Sequence, residues 1–312
     1  MPVLHDSVVP TNYSLVYLRN GACSIRSLAE DETFHPVIGP SIEAEALYVR
    51  QLRLPERVQA TPGEFVIWDV GLGAAANALT AIRRIRESLK GKPARLRLVS
   101  FDRTSDAAAF ALEYAMELGY VAGYESALAQ LMQNRSAKFN DDSLSVEWTL
   151  ELGDFPTWLK QDSERRLPAR RESTSSCEYA VPEAGAPHAI LFDPYSPKKN
   201  PAMWTVSLFA DLFRRLDPMR PCALANYTRS TMARVAMLLG GVFVGVGHPS
   251  GLKEETTVAA NRLDLLDEPL DREWLERAKC SHSAEPLDGL VYRQAPLSPE
   301  IRERLQQHPQ FG

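Results

Sequence analysis

The run Phe65-Val-Ile-Trp-Asp-Val-Gly-Leu-Gly-Ala-Ala-Ala-Asn77 constrains the fold of this chain more than any other stretch. Phe65 to Trp68 is apolar with no polar face, as in a strand buried on both sides of a parallel sheet. Asp69-Val70-Gly71-Leu72-Gly73 then breaks the run. Two glycines one residue apart let the backbone turn sharply and leave room for a ligand against the main chain. From Ala74 to Lys90, good helix formers carry Leu79, Ile82, Ile85 and Leu89 at helical spacing. Strand, glycine turn and helix in this order point unpaired amide N–H groups at whatever sits above the turn, at the carboxyl end of a strand.

Gly71-x-Gly73-x-x-Ala76 fits the dinucleotide fingerprint and also the shorter glycine loop that binds S-adenosylmethionine, so the motif alone leaves both cofactors open. Ala94–Phe101 is a second strand ending in Asp102, where a carboxylate accepts hydrogen bonds from ribose hydroxyls or caps the next helix. Gly71 and Asp102 are 31 positions apart. That exceeds the ~20 of the dinucleotide pattern and counts against NAD. Helices are expected over Ser105–Leu118 and Ala122–Gln133, and a strand over Ser143–Leu150. The loop Gly153-Asp154-Phe155 follows; in a cofactor fold such a loop commonly lies beside the adenine, and Asp154 reads nearly as well as a simple loop residue.

His188–Phe192 is another buried strand. It delivers Asp193-Pro-Tyr195-Ser-Pro197-Lys198-Lys199-Asn200-Pro201-Ala-Met203-Trp204, a stiff irregular loop at a strand end, where open α/β sheets bind ligands. Its carboxylate, aromatics and two lysines exceed what a structural loop needs. An amphipathic helix over Trp204–Leu216 and a strand over Pro221–Tyr227 come next. Val242–Val246 and Thr256–Ala260 are joined without a helix, through a turn holding Gly247, Lys253 and Glu254, and read as an antiparallel pair at the sheet edge. The expected fold is α/β and Rossmann-like: a mostly parallel seven-stranded sheet with an antiparallel last strand, the topology of class I S-adenosylmethionine methyltransferases rather than of a dinucleotide domain.

Residues 1–54 are expected to form an N-terminal hairpin and a helix packed on the core. Asn20-Gly21 between two apolar runs is a strong hairpin signal, and Pro40-Ser41 opens a helix to about Arg53. His35 and Glu43 sit near that helix entrance. The core domain spans 55–262. It carries a basic, breaker-rich insertion over 161–187 that reads as flexible. The extension 263–312, with helices near Arg272–Lys279 and Pro299–Gln307, is expected to pack on the surface or trail off.

A chain of 312 residues with 24% charged residues is long enough to bury a sizeable core. Its net charge of −5 announces no general nucleic-acid binder, though local basic patches remain able to do that work. The four cysteines lie far apart, which argues against a zinc site or disulfide framework and for a reducing cytoplasm. The start does not read as a signal peptide, and no apolar run approaches the ~18 residues of a membrane span.

Several patterns recur together: His35-x-x-x-Gly39-x-x-x-Glu43-Ala44, the glycine motif closing on Asn77, and Asp193-x-x-x-Pro197-x-x-Asn200-Pro201-x-Met203-Trp204. Tyr227-Thr228 and the Gly247…Lys253-Glu254 turn follow in order. Over roughly Tyr13 to Ala260 the chain resembles the MnmC/MnmD-type methyltransferases, which methylate the aminomethyl group on the wobble uridine of certain tRNAs. Three departures stand out. Gly71-Leu-Gly73-Ala-Ala75 lacks the family's third glycine, Asp193-Pro-Tyr-Ser-Pro197 replaces Asp-Gly-Phe-x-Pro, and the 161–187 insertion is no familiar family feature. Two-domain members carry an FAD-dependent oxidase half, for which no second glycine fingerprint is present, so a separate enzyme is expected to supply the aminomethyl uridine.

The resemblance implies S-adenosylmethionine as cofactor, held by Glu43, Asp69, Gly71, Gly73, Asn77, Asp102, Asp154, Phe155 and Asp193. Asp193 would orient the amine and accept its proton, and Tyr195 would wall the pocket and stack on the base. His35, Tyr195, Lys198, Lys199, Trp204 and Lys253 would face tRNA, with Arg83, Arg84 and Arg86 reaching phosphates. No metal and no membrane is expected. The other readings are an NAD-dependent oxidoreductase using the glycine turn and a noncatalytic nucleic-acid-binding relative.

Overall fold

The computed structural model describes residues 12–165, 185–251 and 254–312. The expected insertion begins within a helix, Phe155–Arg165, and its stretch 166–184 lies outside the described residues, as does Lys253. Three short strands near the N-terminus, β1 (Tyr13–Tyr17), β2 (Cys23–Ser27) and β3 (Glu32–Thr33), form a small antiparallel sheet. Asn20-Gly21 turns the first pair, with Gly21 at φ +82°, so the hairpin signal was sound, and β3 adds a strand to it.

The main sheet contains β4 (Glu64–Val70), β5 (Ala94–Asp102), β6 (Ser136–Asp141), β7 (Leu144–Leu152), β8 (Ala189–Phe192), β9 (Ala223–Asn226), β10 (Phe243–Gly247) and β11 (Thr256–Ala260). Their spatial order is β10-β11-β9-β8-β4-β5-β7-β6. The strands β7, β5, β4, β8 and β9 are parallel neighbours, and β11 runs antiparallel between β9 and β10. Among the described residues the sheet thus has eight strands where seven were expected. The additional one, β6, lies antiparallel on β7 at the far edge. Its sequence Ser-Ala-Lys-Phe-Asn-Asp is mostly polar, because an edge strand buries only part of one face.

Alternation along β4 assigns its two faces. Phe65 and Ile67 join Leu79, Ile82 and Ile85 of the helix Ala76–Leu89 in one core. Val66, Trp68 and Val70 join Leu208, Phe209 and Leu212 of the helix Val206–Arg215 in the other. Full burial on both faces explains the unbroken apolar run, with each large side chain worth roughly 1.5–3 kcal/mol relative to exposure. The C-terminal extension belongs to this second core rather than trailing off: Trp274, Leu275, Leu287, Leu305 and Phe311 are buried in it. Gln310 bonds both the N–H and C=O of Val244 (2.8 and 2.7 Å) and closes part of the β10 edge.

The helix expected over 40–53 is split. A short α-turn, Pro40–Ala44, passes into a π-wound turn, Glu45–Arg50, and Arg53 adopts φ +49° before a second helix, Leu54–Ala60. Pro55 fits only in a first helical turn, so the chain restarts there. The π turn carries Tyr48, fully buried beside Glu43 and Asp193.

Candidate active site

The floor of the site lies where β4, β5 and β8 end. Gly71 takes φ +97°, and a Cβ there would stand 2.6 Å from the backbone oxygen of Asp193. No other residue lets the β4 turn and the β8 exit touch in this way. The turn amides are largely consumed. Gly71 and Leu72 donate to the Phe101 carbonyl (2.9 and 3.1 Å), Gly73 to Asp102 Oδ2 (2.8 Å) and Ala75 to the Leu72 carbonyl (2.8 Å). The sequence pattern placed free N–H groups above this turn, but four of the five amides over 71–75 already have partners within the fold. Asp102 also accepts from the Arg103 amide at 2.7 Å. Burial raises its carboxyl, while the amides of Gly73, Arg103 and Thr104 and the Arg103 charge oppose that rise.

Asp193 is fixed from two sides. Its amide donates to Val70 O at 2.8 Å, and Asn77 Nδ2 donates to its Oδ2 at 2.7 Å. Asn77 Oδ1 is buried and has no hydrogen-bond partner among the described residues. The following loop is held by Tyr227, whose hydroxyl donates to Pro194 O at 3.0 Å, and by Trp204, whose Nε1 donates to Tyr195 O at 3.0 Å. Burial, then the Asp193 charge, raises the hydroxyls of both Tyr48 and Tyr227 well above the ordinary range. Both are therefore neutral donors near that carboxylate.

The small sheet β1–β3 covers this floor. Ser196 Oγ donates to Glu32 Oε1 at 2.5 Å, joining the lid to the Asp193 loop. Phe34 packs on Tyr195 with centroids 5.9 Å apart and on Tyr13 at 6.4 Å. His35 follows in the left-handed region, φ +47°. Arg26 is tied within the lid to Asp31 and Thr33.

Between floor and lid is a cavity of about 730 Å³, within the size range of small-molecule sites. Of the residues singled out from sequence, His35, Glu43, Gly71, Gly73, Asn77, Asp102, Asp154, Phe155, Asp193, Tyr195 and Lys199 line it. Asp69, Lys198 and Trp204 do not. Asp69 is fully buried in the sheet, accepting from Ser100 Oγ at 2.7 Å, and Trp148 Nε1 donates to that same hydroxyl at 2.9 Å. Burial lifts its carboxyl to about 8, so it is a largely neutral part of the core rather than a contact with ligand. Trp204 packs edge-on to Phe192 and Tyr227 within the core, and Lys198 is exposed.

The three arginines expected at phosphates are tied elsewhere: Arg83 to the carbonyls of Tyr120 and Ala122, Arg84 to Glu45 and Glu87, and Arg86 to Asp141. Sequence reasoning missed Glu30, Glu32, Phe34 and Arg103 in the cavity wall. Only the proximity of the first three to His35 pointed at them.

Charge in the wall is one-sided. Glu30, Asp31, Glu32, Glu43, Asp102, Asp106, Asp154 and Asp193 face Arg26, Arg103, Lys199 and His35. Arg26 is taken by Asp31, and Arg103 lies 3.6 Å from Asp154. No group of metal-binding side chains occurs among the described residues. Such a cavity favours a cationic ligand over a pyrophosphate, which would meet few free amides and many carboxylates.

Residues 177–262 match the family model described as S-adenosyl-L-methionine-dependent methyltransferase. Over 215 residues the chain is 29% identical to the tRNA 5-methylaminomethyl-2-thiouridine biosynthesis bifunctional protein MnmC of Ectopseudomonas mendocina (strain ymp), covering 66% of this chain and 29% of that protein. The protein of the same name from Ralstonia nicotianae is 28% identical over 234 residues, 74% of this chain and 32% of the relative. The chain thus spans about a third of the length of these relatives. The crystal structure of MnmC2 from Aquifex aeolicus is similar with a TM-score of 0.64 at 19% identity, over 96% of this chain and 86% of that one. Fold, family model and sequence similarity agree: the chain has the class I S-adenosylmethionine-dependent methyltransferase fold and is similar to MnmC.

Proposed function

We propose that this chain methylates the 5-aminomethyl group of the wobble uridine, or 2-thiouridine, of tRNA, with S-adenosylmethionine as methyl donor. The observation that carries this reading is the acid-walled cavity with Asp193 fixed at its floor by Asn77, on a chain similar to MnmC. The cofactor fits the residues present. Asp102 stands at the end of β5 for ribose hydroxyls, Asp154 and Phe155 flank an adenine position, and Glu43 and the Gly71–Gly73 turn face the methionine end. When bound, S-adenosylmethionine supplies an electrophilic methyl group on a cationic sulfur.

The protein's own work is placement and proton removal. The acceptor amine is protonated near neutral pH and must shed a proton before its lone pair can form the new N–C bond. Asp193, held through its Oδ2 by Asn77, orients that nitrogen and takes the proton directly or through water. Tyr195, braced by Phe34, walls the base. The products are the methylaminomethyl nucleoside and S-adenosylhomocysteine. A separate enzyme supplies the aminomethyl uridine, and the reaction takes place in the cytoplasm. No helix among the described residues is long and apolar enough to cross a membrane.

Thermal-shift titration with S-adenosylmethionine, S-adenosylhomocysteine, NAD and NADP tests the cofactor assignment, because a ligand of the folded state raises Tm. Stabilisation by the two adenosyl compounds alone is expected. Stabilisation by NAD or NADP alone would overturn it.

A further inference from the structure

Glu32 has no role in the chemistry just described, yet it stands in the cavity wall on the lid side of the Asp193 loop. Ser196 Oγ occupies its Oε1, at 2.5 Å. Neither Glu32 nor Asp193 has an ion-pair partner among the described residues, although Arg26 and Arg103 nearby are both paired. Glu32 and Asp193 line one cavity from different elements, and Ser196 ties Glu32 to the loop that Asp193 opens. The charges of both act on the Tyr227 hydroxyl, which is itself turned to Pro194 O. Two carboxylates in one cavity wall, where eight acidic side chains stand against Arg26, Arg103, Lys199 and His35, and neither of them in an ion pair among the described residues, form a receptor for a cation. Asp193 must be free to take a proton and so cannot also be the sole anchor of the charged amine.

Building on the proposed amine acceptor, we propose that Glu32 is the specificity-determining residue of the acceptor site: its second carboxylate oxygen accepts a hydrogen bond from the substrate ammonium and selects an amine over a hydroxyl at that position. A carboxylate beside an ammonium stabilises the charged form, so Glu32 promotes capture, and proton removal remains with Asp193. Ser196 sets the orientation of Glu32 by holding its first oxygen. An acidic wall also admits the nucleobase and its amine while disfavouring phosphate.

The test uses Glu32→Gln, which keeps an oxygen to accept from Ser196 and removes the charge. In the presence of S-adenosylhomocysteine, binding of 5-aminomethyluridine and of 5-hydroxymethyluridine is measured calorimetrically. The wild type is expected to prefer the amine by on the order of tenfold or more, the scale of one charge-assisted hydrogen bond, and Glu32→Gln to lose that preference. With tRNA, KM rises by a similar factor in the variant while kcat changes far less. An unchanged thermal shift with S-adenosylhomocysteine shows that the variant is folded. Ser196→Ala, which leaves the charge in place, is expected to weaken the preference less than Glu32→Gln. Equal binding of the two nucleosides by the wild type, no binding of either, or a preference that Glu32→Gln retains overturns the proposal. A preference that falls in the variant while tRNA is never methylated would instead refute the tRNA reading and leave the amine site standing.

Discussion

The floor and the lid of the cavity are built on opposite principles. The floor is over-determined: β4, β8 and the end of β5 over 98–101 are buried on both faces, the glycine turn is tied to Phe101 and Asp102, and Asp193 is held by Val70 and Asn77. The lid is a separate three-stranded sheet whose middle strand is buried in the first core through Cys23 and Ile25, and it meets the floor through Glu32 with Ser196 and Phe34 with Tyr195. A floor of this kind suits a cofactor whose geometry must not vary. A lid built on a separate sheet, rather than on the strand ends that hold the floor, suits an acceptor that enters as part of a much larger molecule. The division implies that substitutions in the floor cost cofactor binding or chemistry, and those in the lid cost acceptor affinity.

The largest effect is expected at the floor. Asp193→Asn keeps an oxygen for Asn77 but removes the proton acceptor. Its methyl-transfer rate should fall by roughly 10²–10⁴-fold, with S-adenosylhomocysteine still raising Tm. Loss of that thermal shift instead would assign Asp193 to the cofactor and not to chemistry.

Gly71→Ala breaks the floor by geometry. The new methyl would meet Asp193 O at 2.6 Å with φ at +97°, for a strain of about 1–3 kcal/mol and a Tm lowered by roughly 2–10 °C. S-adenosylhomocysteine affinity should fall as well, because the turn and the β8 exit are forced apart. A variant with wild-type Tm and affinity would show that the floor is less rigid than its contacts suggest.

On the lid, Phe34→Ala removes the ring between Tyr195 and Tyr13. Steady-state kinetics should show KM for tRNA raised about tenfold with little change in cofactor affinity. If cofactor affinity falls as far as tRNA affinity, floor and lid are one unit and the division fails.

The smallest effect concerns pH. Asp69 ionises near 3.8 when unfolded and near 8 in the buried site. The unfolded chain therefore binds fewer protons across that interval, and stability drops as pH rises from about 4 toward 8. Asp69→Asn has no such dependence and still accepts from Ser100. Its Tm should exceed the wild type's by a margin that grows between pH 5 and pH 8 and closes near pH 4. A margin independent of pH would mean that Asp69 is charged in the fold.

The difference between floor and lid also explains what the sequence disclosed. The floor is local: an apolar run, a glycine pair and a helix are adjacent in the chain, and strand ends deliver Asp102 and Asp193 by the rules of parallel sheets. The lid is not. Glu32 meets Ser196 across 164 positions, and no periodicity signals that pairing. Asp69 was misplaced because a carboxylate beside a glycine turn looks like a ligand contact. Only the register, which sets it opposite Ser100, turns it into the core. Likewise β6 escaped because an edge strand needs few apolar residues, and Arg83, Arg84 and Arg86 looked free because their acceptors lie on distant elements.

The most direct measurement is methyl transfer to defined tRNA. The purified chain is incubated with S-adenosylmethionine and tRNA carrying 5-aminomethyl-2-thiouridine, and the nucleosides are analysed by mass spectrometry. Conversion of that nucleoside to its methylaminomethyl form, dependent on Asp193 and absent with tRNA lacking the amine, is the expected result. Efficient binding of S-adenosylmethionine with no methyl group on that nitrogen, or methylation that persists in Asp193→Asn, would contradict it.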